Sequence, residues 1–80
     1  MQPYPLERVE CGAAREPLRL WHQGQRWQVL DILDRWQDTG CWWTGEGEKD
    51  FYRLILEDRS VREIFYDQTE QRWYLYKTYD

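Results

Sequence analysis

Three runs, FYRLILE (51–57), VREIFYD (61–67) and RWYLYKTY (72–79), restrict what this chain can fold into more than any other part of it. Each is dense in β-branched and aromatic residues, and short polar stretches of the EDRS and QTEQ kind separate them. Side chains of this type fit a pleated, half-buried surface, so residues 51–79 are expected to form a three-stranded antiparallel meander. Closing its first turn over Asp58-Arg59 and its second over Gln68 to Gln71 assigns every side chain to a face. One face would carry the rows Tyr52/Phe65/Tyr74, Leu54/Glu63/Tyr76 and Leu56/Val61/Thr78. The other would carry Phe51/Tyr66/Trp73, Arg53/Ile64/Leu75 and Ile55/Arg62/Lys77. The first holds no positive charge and a single acid, Glu63, which the Tyr76 hydroxyl can approach, so it is expected to face the core.

Upstream, PLRLWHQGQRWQV (17–29) alternates apolar and polar residues around Gln23-Gly24, a pair suited to a tight hairpin turn with φ > 0. That turn sets Leu20 opposite Trp27 and Leu18 opposite Val29 on an apolar face, with Trp21 opposite Arg26 and Arg19 opposite Gln28 behind. In LDILDRWQDTG, Leu30, Leu33 and Trp36 recur at helical spacing, while Leu30, Ile32 and Trp36 fit a strand. A continued strand with a bulge near Val29-Leu30 is preferred; a short helix at 31–37 is the alternative. Pro3, Pro5 and Gly12-Ala13-Ala14 make residues 1–16 a flexible arm with one short strand, before a single β domain over 17–80. The expected architecture is therefore mostly β, a small antiparallel twisted sheet or partly closed barrel of SH3-like size.

Size explains the aromatic content. A chain of 80 residues buries only about 60% of its unfolded surface, and six Trp, six Tyr and two Phe each bury far more area than an aliphatic residue. Most are needed for the core. The formal net charge of −4, from 15 acids against 11 bases, repels a polyanion at long range and leaves only a local basic patch as a route to nucleic acid. No stretch has the length of apolar sequence that a membrane span needs, and no secretory signal opens the chain, so a cytoplasmic location is expected. Cys11 and Cys41 are expected as free thiols in that compartment. With His22 the sole histidine, no ligand spacing suggests a metal, and no cofactor motif is present.

The candidate site is the basic and aromatic face of the meander: Phe51, Tyr66 and Trp73 interleaved with Arg53, Arg62 and Lys77. Stacking rings beside cations suit single-stranded nucleic acid or an anionic ligand. The competing reading is structural, with the basic stems laid over rings that a loop or the arm half covers. The same choice applies to Trp42 and Trp43, which point to opposite sides if residues 41–44 are extended. Between glycines and the acids Glu46, Glu48 and Asp50, they form either a flap beside a binding groove or a lid on the end of a small barrel. Catalysis is not expected, because His22, Cys41, Asp31 and Asp34 show no nucleophile–base pairing in sequence.

Two resemblances bear on function. Trp42-Trp43 and the acidic loop after them resemble the paired tryptophans of SH3 domains, but no ALYDY-like stretch precedes them and no binding residue carries over. Residues 17–58, with IFYDQTEQRWYLYKTYD after them, resemble an uncharacterised family of small bacterial proteins of unknown function. Its members stand alone, or occur beside or fused to proteins related to Y-family translesion DNA polymerases. The spacing of Trp27, Trp36, Trp42, Trp43 and Trp73 carries that resemblance, and no site residue transfers with it. Relatives tend to carry arginine near the hairpin turn where this chain has Gln23, Gln25 and Gln28, a departure that weakens a nucleic-acid role. The resemblance implies a non-catalytic binding module with a protein or single-stranded nucleic-acid partner, accessory to DNA repair or damage tolerance. The alternative is an SH3-like peptide-binding interaction domain.

Overall fold

The computed structural model describes residues 3–38 and 47–79. They build one antiparallel sheet from β1 (Tyr4–Pro5), β2 (Arg8–Cys11), β3 (Pro17–His22), β4 (Gln25–Asp38), β5 (Lys49–Leu56), β6 (Val61–Asp67) and β7 (Arg72–Tyr79). The spatial order is β1-β7-β6-β5-β4-β3-β2, so the chain runs as a meander from β2 to β7 and places β1 on the far edge. The segment expected as a loose arm thus holds both edges. Leu6 donates its backbone N–H to the carbonyl of Trp73 (3.0 Å), and Glu7 donates to that of Trp21 (2.9 Å). Leu6 is buried in the core, and its burial opposes the entropy of fixing the arm. The result is the expected all-β architecture, a curled sheet drawn toward a barrel. Among the described residues no helix is long and apolar enough to cross a membrane.

Turn chemistry sets the register. Gln23 (φ 51°) and Gly24 (φ 78°) both adopt left-handed backbone, as a two-residue type I′ turn requires. The pairs Leu20–Trp27, Trp21–Arg26 and Arg19–Gln28 follow as expected. The β5–β6 turn differs from the expected closure over Asp58-Arg59. Arg59 N–H donates to Leu56 O and Leu56 N–H to Ser60 O, both at 2.9 Å, so three residues form the loop and Arg59 takes the left-handed position (φ 71°). One extra loop residue slips the register by one. Phe51 therefore pairs with Phe65 and Arg53 with Glu63, while Tyr52 pairs with Ile64 and Leu54 with Arg62. The same turn recurs at the end of β2, where Arg15 (φ 64°) is the left-handed residue.

Among the described residues, four are inserted as bulges. The register shifts leave Leu18 unpaired in β3, Leu30 and Leu33 in β4, and Tyr76 in β7. Two bulges absorb the helix-like spacing of Leu30, Leu33 and Trp36, so the helix considered at 31–37 is absent and β4 runs through to Asp38. Val29 and Ile32 pack on the core, whereas Leu30 and Leu33 are half exposed. Leu18 was expected beside Leu20 in the interior; its bulge turns it outward and lets Pro17 take the buried place. In β7 the pairs Tyr66–Trp73, Phe65–Tyr74 and Ile64–Leu75 match expectation, but beyond Tyr76 the partners become Glu63–Lys77 and Arg62–Thr78.

The core comprises Leu6, Leu20, Tyr52, Leu54, Leu56, Ile64 and Leu75, with Val9, Trp27, Val29, Ile32 and Trp73 packed against it. It holds one side chain from the arm and lies on the concave face of the sheet. The opposite face has its own aromatic ladder. Trp36 stacks on Phe51 (centroids 5.4 Å, planes 4° apart), Phe51 meets Phe65 at 5.2 Å, and Phe65 stacks on Tyr74 at 5.1 Å. Glu63 lies on this second face, where Arg53 approaches it at 3.7 Å and binds Asp34 at 2.8 Å. The expected Tyr76 approach to Glu63 is replaced by edge contacts of Tyr76 with Phe51 and Phe65.

Candidate functional site

The slip in the β5–β6 turn, together with the Tyr76 bulge in β7, divides the six residues of the predicted platform between the two faces. Phe51, Arg53 and Lys77 lie on the second face. Phe51 is buried beneath its aromatic neighbours, Arg53 spans Asp34 and Glu63, and the Lys77 ammonium sits 5.1 Å from the Tyr76 ring. Arg62, Tyr66 and Trp73 lie on the concave face. There the Arg62 guanidinium covers the Trp27 ring at 5.1 Å, a long basic side chain laid on an indole. Trp42 and Trp43, read as a flap or lid, lie outside the described residues.

Of the platform, the pair that stays together is Tyr66 and Trp73, whose rings meet at 5.1 Å. Trp73 also touches Tyr52 at 5.5 Å, so three rings from three adjacent strands meet at one end of the curled sheet. They line an open cavity of about 470 Å³, within the size range of small-ligand sites. Around them stand Arg15, Asp50, Gln68 and Gln71. Turn geometry places several of these groups. Gln71 holds the left-handed position (φ 57°) that closes the four-residue β6–β7 loop, with its N–H on Asp67 O at 2.7 Å. Arg15 ends the three-residue turn after β2. The Gln68 amide donates to Asp50 Oδ2 at 2.9 Å, which fixes that carboxylate at the rim.

Burial at this end favours the neutral forms of the Tyr52 phenol and the Cys11 thiol. Burial pushes the Tyr52 phenol above its ordinary pKa, opposed by the Arg35 guanidinium, which lies 5.2 Å from the ring centre. Cys11 also lines the cavity and is a free thiol that reaches solvent. Partial burial first, then the Glu16 carboxylate, raise its pKa, the opposite of what a nucleophilic cysteine needs. His22 is held between rings, 6.2 Å from Tyr4 and 5.4 Å from Trp27. Among the described residues no three His, Cys, Asp or Glu side chains are grouped to hold a metal ion. Sequence reasoning missed Tyr52, Gln68, Gln71 and Arg15 as neighbours of Tyr66 and Trp73. The first was assigned to the other face by the turn slip, and the rest lie in turns whose left-handed residues, Arg15 and Gln71, are not glycine.

The chain belongs to the family described as Domain of unknown function (DUF6504), which it matches over residues 3–80. No curated protein and no solved structure matches it.

Proposed function

We propose that this domain is a non-catalytic binding module that seats an unpaired base of a single-stranded nucleic acid on Tyr66 and Trp73, at the open end of the curled sheet. The observation that carries the reading is the convergence of Tyr52, Tyr66 and Trp73 with the Gln68 and Gln71 amides and Arg15 around one cavity. Rings offer a stacking surface to any base, primary amides match the hydrogen-bonding edges of bases, and a guanidinium can meet the phosphate beside them. With a net charge of −4, stacking supplies the affinity and long-range attraction does not, so binding should depend weakly on salt. An accessory role in DNA repair or damage tolerance is supported by the resemblance to proteins found beside translesion polymerases. The cysteine at the rim is tuned away from nucleophilic chemistry, which favours binding over catalysis.

Amide chemical-shift mapping with short deoxycytidine and deoxythymidine oligomers tests the site. The expected result is perturbation centred on residues 66–73, with Tyr66→Ala weakening binding about tenfold or more, since one stacked base is worth about 1–3 kcal/mol. Tyr66 is partly exposed, so the variant should remain folded. Saturating oligomer at low salt with no shift in this region would sink the reading.

A further inference from the structure

The bulges leave apolar side chains where stability does not require them. An inserted bulge residue has no cross-strand partner, and on the outside of a small sheet a polar side chain is the unstrained choice. Here Leu18, Leu30 and Leu33 occupy three of the four inserted positions, and they are 38%, 50% and 47% exposed. Trp36, also on this side, is 37% exposed and continues the line as far as its stack on Phe51. The two bulges of β4 align this row: each LD pair, Leu30-Asp31 and Leu33-Asp34, is turned outward while Ile32 stays in the core. Leu18 lies on the neighbouring strand, next in sequence to Arg19, whose partner across the ladder is Gln28.

The ridge is edged with acid. Asp31 and Asp34 alternate with its leucines, and the β5–β6 turn brings Glu57 and Asp58 to its Leu30 end, since Glu57 N–H donates to Gln28 O at 2.9 Å. The Arg53 guanidinium beside it is shared between Asp34 and Glu63. An apolar line of this kind with an acidic margin is complementary to one sort of partner.

We propose that the Leu18/Leu30/Leu33/Trp36 ridge docks a basic amphipathic segment of another protein, whose aliphatic side chains cover the leucines while its Lys or Arg residues meet Asp31, Glu57 and Asp58. This surface lies on the opposite side of the sheet from the cavity at Tyr66 and Trp73, and neither site depends on the other. Burial of the leucines supplies the affinity, and the acids set orientation and exclude acidic segments.

The test uses three synthetic peptides on the full chain: a leucine–lysine amphipathic helix, its sequence scrambled to abolish the apolar face, and a leucine–glutamate counterpart. Nitrogen-15 shift mapping should show the leucine–lysine helix alone binding, with perturbation over 29–36 and 57–58. Leu30→Asn/Leu33→Asn should weaken it at least about tenfold, as loss of the central contacts of an interface does, with thermal unfolding close to wild type because both side chains are half exposed. Asp31→Asn, which leaves every apolar contact in place, should reduce the affinity and flatten its salt dependence. Equal binding of the leucine–glutamate or scrambled peptide, shifts confined to other residues, or no binding by the wild type would overturn the proposal. So would sedimentation showing that the leucines instead hold two copies of the chain together.

Discussion

The backbone N–H of Leu6 donates to the carbonyl of Trp73 at 3.0 Å, while the next residue, Glu7, donates to Trp21 on β3, near the other end of the strand order. Two successive peptide groups thus join β7 to β3. Leu6→Ala keeps both hydrogen bonds but removes the side chain that anchors them in the core, and truncating a buried leucine costs about 2–5 kcal/mol. Against a total of about 5–15 kcal/mol for a small domain, urea unfolding should show a markedly lower midpoint. Amide exchange should show both edges losing protection together. A variant that keeps the wild-type midpoint would mean that the arm is ornamental.

Turn residues offer stabilisation without touching a contact. Gln23 adopts φ 51° ahead of Gly24, a position that asparagine fills with less strain. Gln23→Asn should raise stability by about 0.5 kcal/mol, read as a higher melting temperature with unchanged chemical shifts outside residues 21–26. Arg59→Gly at φ 71° acts in the same direction, offset by the greater freedom of glycine in the unfolded chain.

Alkaline stability follows from Tyr52. Its phenol is buried, which raises its folded pKa above the unfolded value, and Arg35 lowers it only in part. A raised pKa means the folded state favours the protonated form. That contribution is fully present below the unfolded tyrosine value of about 10 and is lost as pH rises through the higher folded value. Wild type should therefore lose stability above about pH 10 more steeply than Tyr52→Phe. Parallel pH-dependence in the two proteins, followed by circular dichroism, would remove Tyr52 from the account.

Deleting Leu33 should be tolerated, although it lies inside a strand. Asp34 pairs with Arg53 and Ile32 with Leu54 across the bulge, so removing the inserted residue leaves every later side chain on its present face. Deleting Glu63, which has no bulge beside it in β6 to absorb the loss, should transpose the faces for part of that strand. The Leu33 deletion is expected to give a dispersed amide spectrum, and the Glu63 deletion a collapsed one.

What the sequence revealed depended on whether a glycine marked the turn. Gln23-Gly24 announces a two-residue hairpin, and the pairs Leu20–Trp27 and Trp21–Arg26 follow from it. At 57–59 the left-handed residue is an arginine, which carries no such signal, and a two-residue closure looked equally good. The error moved Phe51 and Arg53 across the sheet from Tyr66 and Trp73, and so divided the predicted site. Its aromatic centre survived because Tyr66 and Trp73 flank the β6–β7 turn, whose length was read correctly. The LDILDRW stretch suggested both a bulged strand and a helix because two bulges three residues apart imitate a helical period. The edge-joining role of residues 4–11 had no local signature, since it depends on partners at 17–22 and 72–79.

Those partners also set a schedule. A ribosome delivers residues 4–7 long before it delivers β7, so the contact between Leu6 and Trp73 spans almost the entire chain and carries the loop-closure entropy of that separation. Hairpin β3–β4 and the meander β5–β7 can form from neighbouring sequence as they emerge. The margin that β1 shares with β7 stays open until that strand appears, and for that interval the nascent domain presents unpaired backbone to any other extended chain nearby. Closure of that margin then waits for β7 and is completed by a segment made well before it.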